Sequence, residues 1–181
     1  MTVSAMLHFI ATGDHKLMRK LNKWRAPKWV RFWALAATRG GDGWLWYAFG
    51  LLVILFGGDL RWIAVGAAGS AAAVGAGAFV SIKRFSGRKR PCEIEPHCWA
   101  TLLPPDQFSF PSGHTITAFA VAVTLGMFYP ALLPVLLFCA ISIALSRIVL
   151  GMHFLSDVLA GAALGTILAV SSYQIFSVSF Y

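Results

Sequence analysis

Three groups of residues have the types and spacing that phosphate chemistry needs. The first is Lys83 with Arg90-Pro91. The second is Pro111-Ser112-Gly113-His114, preceded by Phe110. The third is Ser146-Arg147 with His153 and Asp157. Lys83, Arg90 and Arg147 supply cations with no matching set of nearby acids. Such a set can hold a phosphoryl group, Arg through its planar fork and Lys as a point charge. Pro111-Ser112 reads as a helix start, where unpaired backbone N–H groups and the helix dipole favour an anion. Gly113 lets the backbone approach the oxygens; Ser112 either donates to the ligand or simply caps the helix. His153 and Asp157 are four apart, the spacing of neighbours on one helix face. Asp157 can then accept from one ring nitrogen and leave the other as a nucleophile. His114 would sit across the phosphoryl group, placed to protonate the leaving oxygen.

The elements that must position these groups are apolar. The 181-residue chain is 58% hydrophobic and only 12% charged, and its charges are segregated between long apolar runs. That pattern belongs to a polytopic helical membrane protein rather than a soluble all-α core. The net charge of +8 could suggest nucleic acid. The basic residues cluster between apolar runs, however, so anionic headgroups or a phosphorylated substrate fit better, and no nucleic-acid partner is expected. The opening segment is weakly apolar and soon polar, and is not read as a cleavable signal peptide.

In chain order, residues 14–31 interleave Lys16, Arg19, Lys20, Lys23, Arg25, Lys28 and Arg31 with Leu17, Met18, Leu21, Trp24 and Trp29. This reads as an amphipathic interfacial helix or helix pair with aromatics inward, or as a solvated basic tail, broken at Pro27. Residues 29–38 are apolar but too short to span. Gly40-Gly41-Asp42-Gly43 makes a tight turn. Trp44–Phe56 is a short spanning candidate, with a re-entrant segment as the alternative; Trp44, Trp46 and Tyr47 suit an interfacial belt. Trp62–Ile82 spans, and its Gly66, Gly69, Gly75 and Gly77 permit close helix contact. Residues 83–110 form the main loop, with Pro91, Pro96, Pro104 and Pro105. Further helices are expected over about 113–129, 134–149 and 153–176. The fold is therefore an all-α membrane helix bundle of five transmembrane helices, or six, plus N-terminal interfacial helices. One domain, 1–181, would comprise an interfacial region, 1–43, and a helical core, 44–177, with the site loop 83–112. If 44–56 spans, parity puts all three clusters on one membrane face.

The motifs K-x6-R-P, P-S-G-H and S-R-x5-H-x3-D occur in that order, over residues 83–157. On them the chain resembles the type 2 phosphatidic acid phosphatase family, which shares its site with vanadium haloperoxidases and bacterial acid phosphatases. The resemblance implies that His153 is the nucleophile that forms a phosphohistidine, oriented by Asp157. It implies that His114 is the general acid, and that Lys83, Arg90, Ser112, Gly113 and Arg147 form the phosphate-binding shell. Ser146 belongs to the motif without an assigned role. Neither a metal nor any other cofactor is expected.

The membrane setting favours a lipid phosphate as substrate. Candidates include undecaprenyl diphosphate, phosphatidylglycerophosphate, phosphatidic acid and prenyl-linked sugar phosphates, with Trp99, Phe108 and Phe110 placed to select among them. A lipid phosphotransferase and a non-catalytic lipid-phosphate transporter or binding protein are the rival readings. Cys139 lies in an apolar run and reads as packing. Cys92 and Cys98 flank Glu93, Glu95 and His97 and are read as a disulfide, a metal site or free thiols. With five spans, every Lys and Arg except Arg61 falls on the site's face. The positive-inside rule then puts that face in the cytoplasm, at a bacterial inner membrane. If 44–56 is re-entrant, the site moves to the other face.

Overall fold

The computed structural model describes residues 3–100 and 107–178. Pro104 and Pro105 of the main loop lie outside the described residues. The helices are α1 (Val3–Lys23), α2 (Lys28–Gly40), α3 (Trp44–Phe56), α4 (Arg61–Ser86), the short α5 (Pro91–Ile94), α6 (Gly113–Phe128), α7 (Leu133–Val149) and α8 (Leu155–Val178). Among the described residues the only β pairing is an isolated bridge between Lys89 and Phe108. The chain is thus an all-α membrane helix bundle.

α6 occupies the centre and packs against α4, α7 and α8. Its sequence is apolar or small all round. Accordingly, Ile116, Ala118, Ala120, Val121, Ala122 and Leu125 are all buried, as a helix enclosed by others requires. Gly161 lets α8 approach it. A Cβ there would lie 2.9 Å from the Ser112 carbonyl oxygen and 3.1 Å from Thr115 Cβ. α3 packs on α4 at the edge. The outward faces are apolar, with Trp62, Phe138, Leu159, Ile167 and Ile175 more than half exposed, while Lys83, Arg90, Arg147, His153 and Asp157 are buried. This inversion suits a hydrocarbon solvent.

Three stretches are long and apolar enough to cross a membrane: Gly58–Ser86, Pro130–Val149 and Leu155–Val178. α3 and α6 are shorter, at 13 and 16 residues. A 13-residue helix rises only about 20 Å against a hydrocarbon core of about 30 Å. α3 nevertheless runs alongside α6 in the same direction. Asp42, just before α3, meets His114 at the start of α6, and at the other end Tyr129 Oη donates to the Gly57 carbonyl at 2.9 Å.

The N-terminal region differs from a simple interfacial skin. α2 lies along α7 and buries Val30, Ala34 and Thr38. α1 touches α7 and α8 and buries Asp14, Met18 and Asn22. The expected inward aromatics point out instead: Trp24 is 42% exposed and Trp29 72%. Leu17 and Leu21 make the packing contact, against Ala144, Ile148 and Val158. In the aromatic belt, Trp44 and Tyr47 are exposed as expected, but Trp46 is buried in the core. Of the glycines in α4, Gly75 faces Ile116, whereas Gly69 and Gly77 have no neighbouring atoms where a Cβ would sit. Gly66 meets the Phe176 ring at 3.4 Å, an ordinary contact, so of the four Gly75 is the one that close packing requires.

Candidate active site

A cavity of about 430 Å³ opens where the ends of α4, α6, α7 and α8 meet the turn between α2 and α3. Arg90, Gly113, His114, Arg147 and His153 line it, with Asp42, Tyr47, Phe79 and Thr117. Segments from all three sequence clusters therefore reach one pocket.

His153 does not sit on α8. It lies in the turn before it, and α8 begins at Leu155. The shared helix face expected for His153 and Asp157 is thus replaced by a capping arrangement. Asp157, in the first turn of α8, accepts from the backbone N–H of Phe154 at 2.8 Å, as an acid at that position does in a capping box. Its Oδ2 is 3.7 Å from His153 Nδ1, beyond hydrogen-bond range. The Nδ1 partner is the Ser109 carbonyl oxygen, at 2.6 Å. A carbonyl can only accept, so Nδ1 carries the proton. Nε2 keeps its lone pair, which accepts from Arg90 NH1 at 3.2 Å. Asp157 contributes its charge to the ring from behind rather than a hydrogen bond.

Burial lowers the pKa of His153 to about 4; Asp157 opposes that fall and Arg147 and Arg90 deepen it. The imidazole is neutral at physiological pH, as a nitrogen nucleophile must be.

Arg90 is nearly enclosed at 2% exposure. Pro91, with its fixed φ, starts α5 directly after it, and its guanidinium also donates to the Met152 carbonyl at 2.8 Å. Arg147 closes α7; one NH2 group donates to Thr38 Oγ1 of α2 and the other contacts Met152 Sδ at 3.3 Å. Both forks are pre-aimed by side chains and backbone that hold them to the pocket wall.

His114 is the second residue of α6. Its Nε2 pairs with Asp42 Oδ1 at 2.8 Å. That contact needs a close approach of the α2–α3 turn. A Cβ on Gly41 would lie 2.8 Å from Ile143 Cγ2 and 3.0 Å from His114 Cδ2, so only glycine fits without displacement.

Ser112 caps nothing: no side-chain cap bond forms at the start of α6. Its hydroxyl accepts from Thr115 Oγ1 at 2.9 Å, and its N–H donates to the Asp157 carbonyl at 3.1 Å. Fully buried, it ties α6 to α8 beneath the pocket. Lys83 also stands back from the pocket wall. It is buried at the end of α4 with Nζ 4.3 Å from the Phe79 ring, and Phe79 is the residue that lines the cavity. Its contribution is positive potential behind that ring.

Asp42, Thr38 and the Ser109 carbonyl were not legible as site residues, nor were Arg88, which holds Asp157 from behind, and Asp14, which holds Arg88. Arg88, which reads in the sequence as one of several topology charges, donates to Asp157 Oδ1 at 2.6 Å and to Asp14 Oδ2 at 2.7 Å. One signal could have found the acids. The chain has only seven, so each acid beside an apolar run is a candidate partner for a cation or histidine. Cys92, Cys98 and Cys139 are free thiols. His97 uses both ring nitrogens on backbone, meeting the Val149 carbonyl at 2.9 Å and the Trp99 and Ala100 N–H groups.

The chain is similar in sequence and fold to known proteins. The model of the PAP2 superfamily matches residues 60–181. Over 97 residues the chain is 43% identical to the decaprenylphosphoryl-5-phosphoribose phosphatase of Mycobacterium tuberculosis, covering 50% of this chain and 52% of that protein. The chain thus spans about half the length of the curated relatives it matches. The crystal structure of Aquifex aeolicus LpxE superposes with a TM-score of 0.72 at 28% identity, over 88% of this chain and 93% of that one. A transmembrane PAP2-type phosphatidylglycerolphosphate phosphatase from Bacillus subtilis shares the fold, with a TM-score of 0.68 at 21% identity over 92% of this chain and 85% of that one. The family match covers two-thirds of the sequence and includes Lys83, Arg90, the P-S-G-H segment, Arg147, His153 and Asp157, and on that ground the chain belongs to the PAP2 superfamily.

Proposed function

We propose that the protein is a membrane lipid phosphatase that removes the terminal phosphate of a phospholipid or polyprenyl phosphate through a phosphohistidine on His153. The observation that carries this reading is the pocket itself. Two imidazoles, two buried guanidiniums and the start of α6 surround one space.

The lone pair of His153 Nε2 forms the N–P bond as the P–O bond to the lipid breaks. Arg90 releases Nε2 and, with Arg147, holds the non-bridging oxygens, where negative charge is greatest. Such fixed charges in a dry site provide the largest share of catalysis. The first N–H groups of α6 add to them. His114 acts as the imidazolium: Asp42 accepts from its Nε2–H, and the leaving oxygen takes the proton of its Nδ1–H. Water then attacks phosphorus and gives its proton to His114. The P–N bond breaks, and inorganic phosphate and neutral His153 result.

A second cavity of about 400 Å³ supports a lipid substrate. It runs between α3, α4 and α6, lined by Trp46, Leu51, Ile54, Val65, Val121 and Leu125, and shares Gly43, Tyr47 and Thr117 with the polar pocket. A headgroup phosphate in the first cavity can therefore continue into an apolar chain in the second.

Phosphate release by the purified protein, assayed across lipid monophosphates and diphosphates in mixed micelles, tests this. His153→Ala is expected to abolish release while leaving thermal unfolding near that of the parent. Tight binding of the same lipids with no release by the parent protein would instead establish a carrier.

A further inference from the structure

We propose that Arg88 is a positioning residue for Asp157, and that Asp14 of the N-terminal helix α1 clamps it in place, so that α1 is part of the frame of the active centre. The inference rests on the phosphatase reading above and deepens it.

Asp157 is fully buried. A carboxylate in that setting needs a cation, and removal of the cation is costly. The cation in contact is Arg88 and not His153: NH1 lies 2.6 Å from Oδ1, against 3.7 Å from Nδ1 to Oδ2. The guanidinium is held on three further sides. Its NH2 donates to Asp14 Oδ2 at 2.7 Å, NH1 donates to Ser156 Oγ at 2.7 Å, and its Cζ lies 4.1 Å from the centroid of the Phe154 ring. Ser156 closes the ring of contacts, because its N–H donates to Asp14 Oδ1 at 3.1 Å and its hydroxyl donates to Asp14 Oδ2. Asp14 itself is 5% exposed. Residues 154, 156 and 157, which bracket the start of α8 just after His153, are therefore all fixed by one residue from the loop after α4 and one from α1. His15, next to Asp14, packs edge-on against the same Phe154 ring at 5.3 Å.

The consequence for His153 follows from the geometry. With Arg88 present, Asp157 is satisfied by the guanidinium and the Phe154 N–H. It therefore stays 3.7 Å from Nδ1, and the Ser109 carbonyl keeps the Nδ1 proton. Without Arg88, the carboxylate loses its cation. His153 Nδ1–H stands 3.7 Å from Oδ2, so the ring rotates toward Asp157 and away from the line along which Nε2 meets phosphorus. A displacement of this kind lowers turnover without removing a substrate contact, because Arg88 is not among the residues lining the pocket. Asp14 lies outside the region matched by the family model, which begins at residue 60, so the clamp uses a segment that the family signature does not include.

The test uses the full-length protein in detergent. Arg88→Ala is expected to lower kcat about 10²-fold, the scale of a displaced catalytic group. KM for the lipid and the inhibition constant of inorganic phosphate should stay within about twofold. Arg88→Lys should recover part of kcat, and Arg84→Ala, a neighbouring exposed cation, should behave as the parent. Asp14→Asn should lower kcat about tenfold and should not add to Arg88→Ala, as coupled residues do not. Nitrogen NMR of labelled histidine provides a readout independent of turnover: the His153 Nδ1 resonance should move in Arg88→Ala and return toward the parent position in Arg88→Lys. An unmoved resonance, an effect confined to KM, or full additivity with Asp14→Asn overturns the proposal whether or not the parent releases phosphate. An inactive parent overturns the phosphatase reading alone, and the resonance still decides the role of Arg88.

Discussion

Single residues in this site are set by their second neighbours. His153 is neutral because burial and two guanidiniums disfavour its charge, with a pKa near 4 against 6.5 for the free side chain. Protonation removes the lone pair of the proposed nucleophile, so the acid limb of kcat/KM from this residue is expected near pH 4, with activity lost as pH falls through it. Arg147→Met removes one of the lowering charges, so the limb should shift upward toward 6.5; a pH profile of the variant checks the sign. On the other side of the pocket, Asp42→Asn keeps the size of the side chain but removes its charge from His114. Turnover of slow-leaving lipids should fall by about tenfold, the low end of a general-acid contribution, with KM unchanged. Substrates with good leaving groups, which need no proton, should be spared. Equal losses on both kinds of substrate would assign Asp42 to folding instead.

Elements deliver these residues through close approach. The α2–α3 turn reaches His114 only because Gly41 has no side chain. Gly41→Ala should therefore lower kcat more than it lowers stability, as judged by comparing turnover with thermal unfolding. Gly161→Val meets the Ser112 carbonyl and Thr115 and should destabilise the bundle by about 1–3 kcal/mol, as overpacking does. Gly69→Ala in α4 meets no atom within 4 Å and should be neutral or stabilising by up to about 1 kcal/mol from helix propensity. Gly161 and Gly69 look alike in sequence, each within an apolar helix; the difference between them lies in what stands opposite.

For the whole molecule, the arrangement places a polar pocket at one end of a bundle whose flanks are apolar. α1 and α2, which carry Lys16, Arg19, Lys20, Lys23, Arg25, Lys28 and Arg31, dock at that same end. The proposed cytoplasmic placement of the site follows from the positive-inside rule applied to them. Cys98 is an exposed thiol at this end, whereas Cys92 and Cys139 are only partly exposed. A membrane-impermeant maleimide is expected to label Cys98 only after cells are permeabilised. Labelling of intact cells would put the pocket on the outer face and overturn the cytoplasmic placement.

The sequence by itself determined the fold class and the three motifs, and put the motifs on one membrane face only on condition that 44–56 spans. Apolar runs near the thickness of a bilayer have no other stable home than a helix bundle, and charged residues at their ends are costly enough to need a function. What it left open was every contact made across the bundle. Asp42 looked like a turn residue, Arg88 like a topology charge and Asp14 like part of a basic surface helix, because local pattern records only what a residue's own element requires. The tertiary structure alone decided that His153 stands before α8 and donates its Nδ1–H to the Ser109 carbonyl, while Asp157 turns to Arg88. A hydrogen bond between distant segments depends on how helices pack, and packing is a property of the assembled chain.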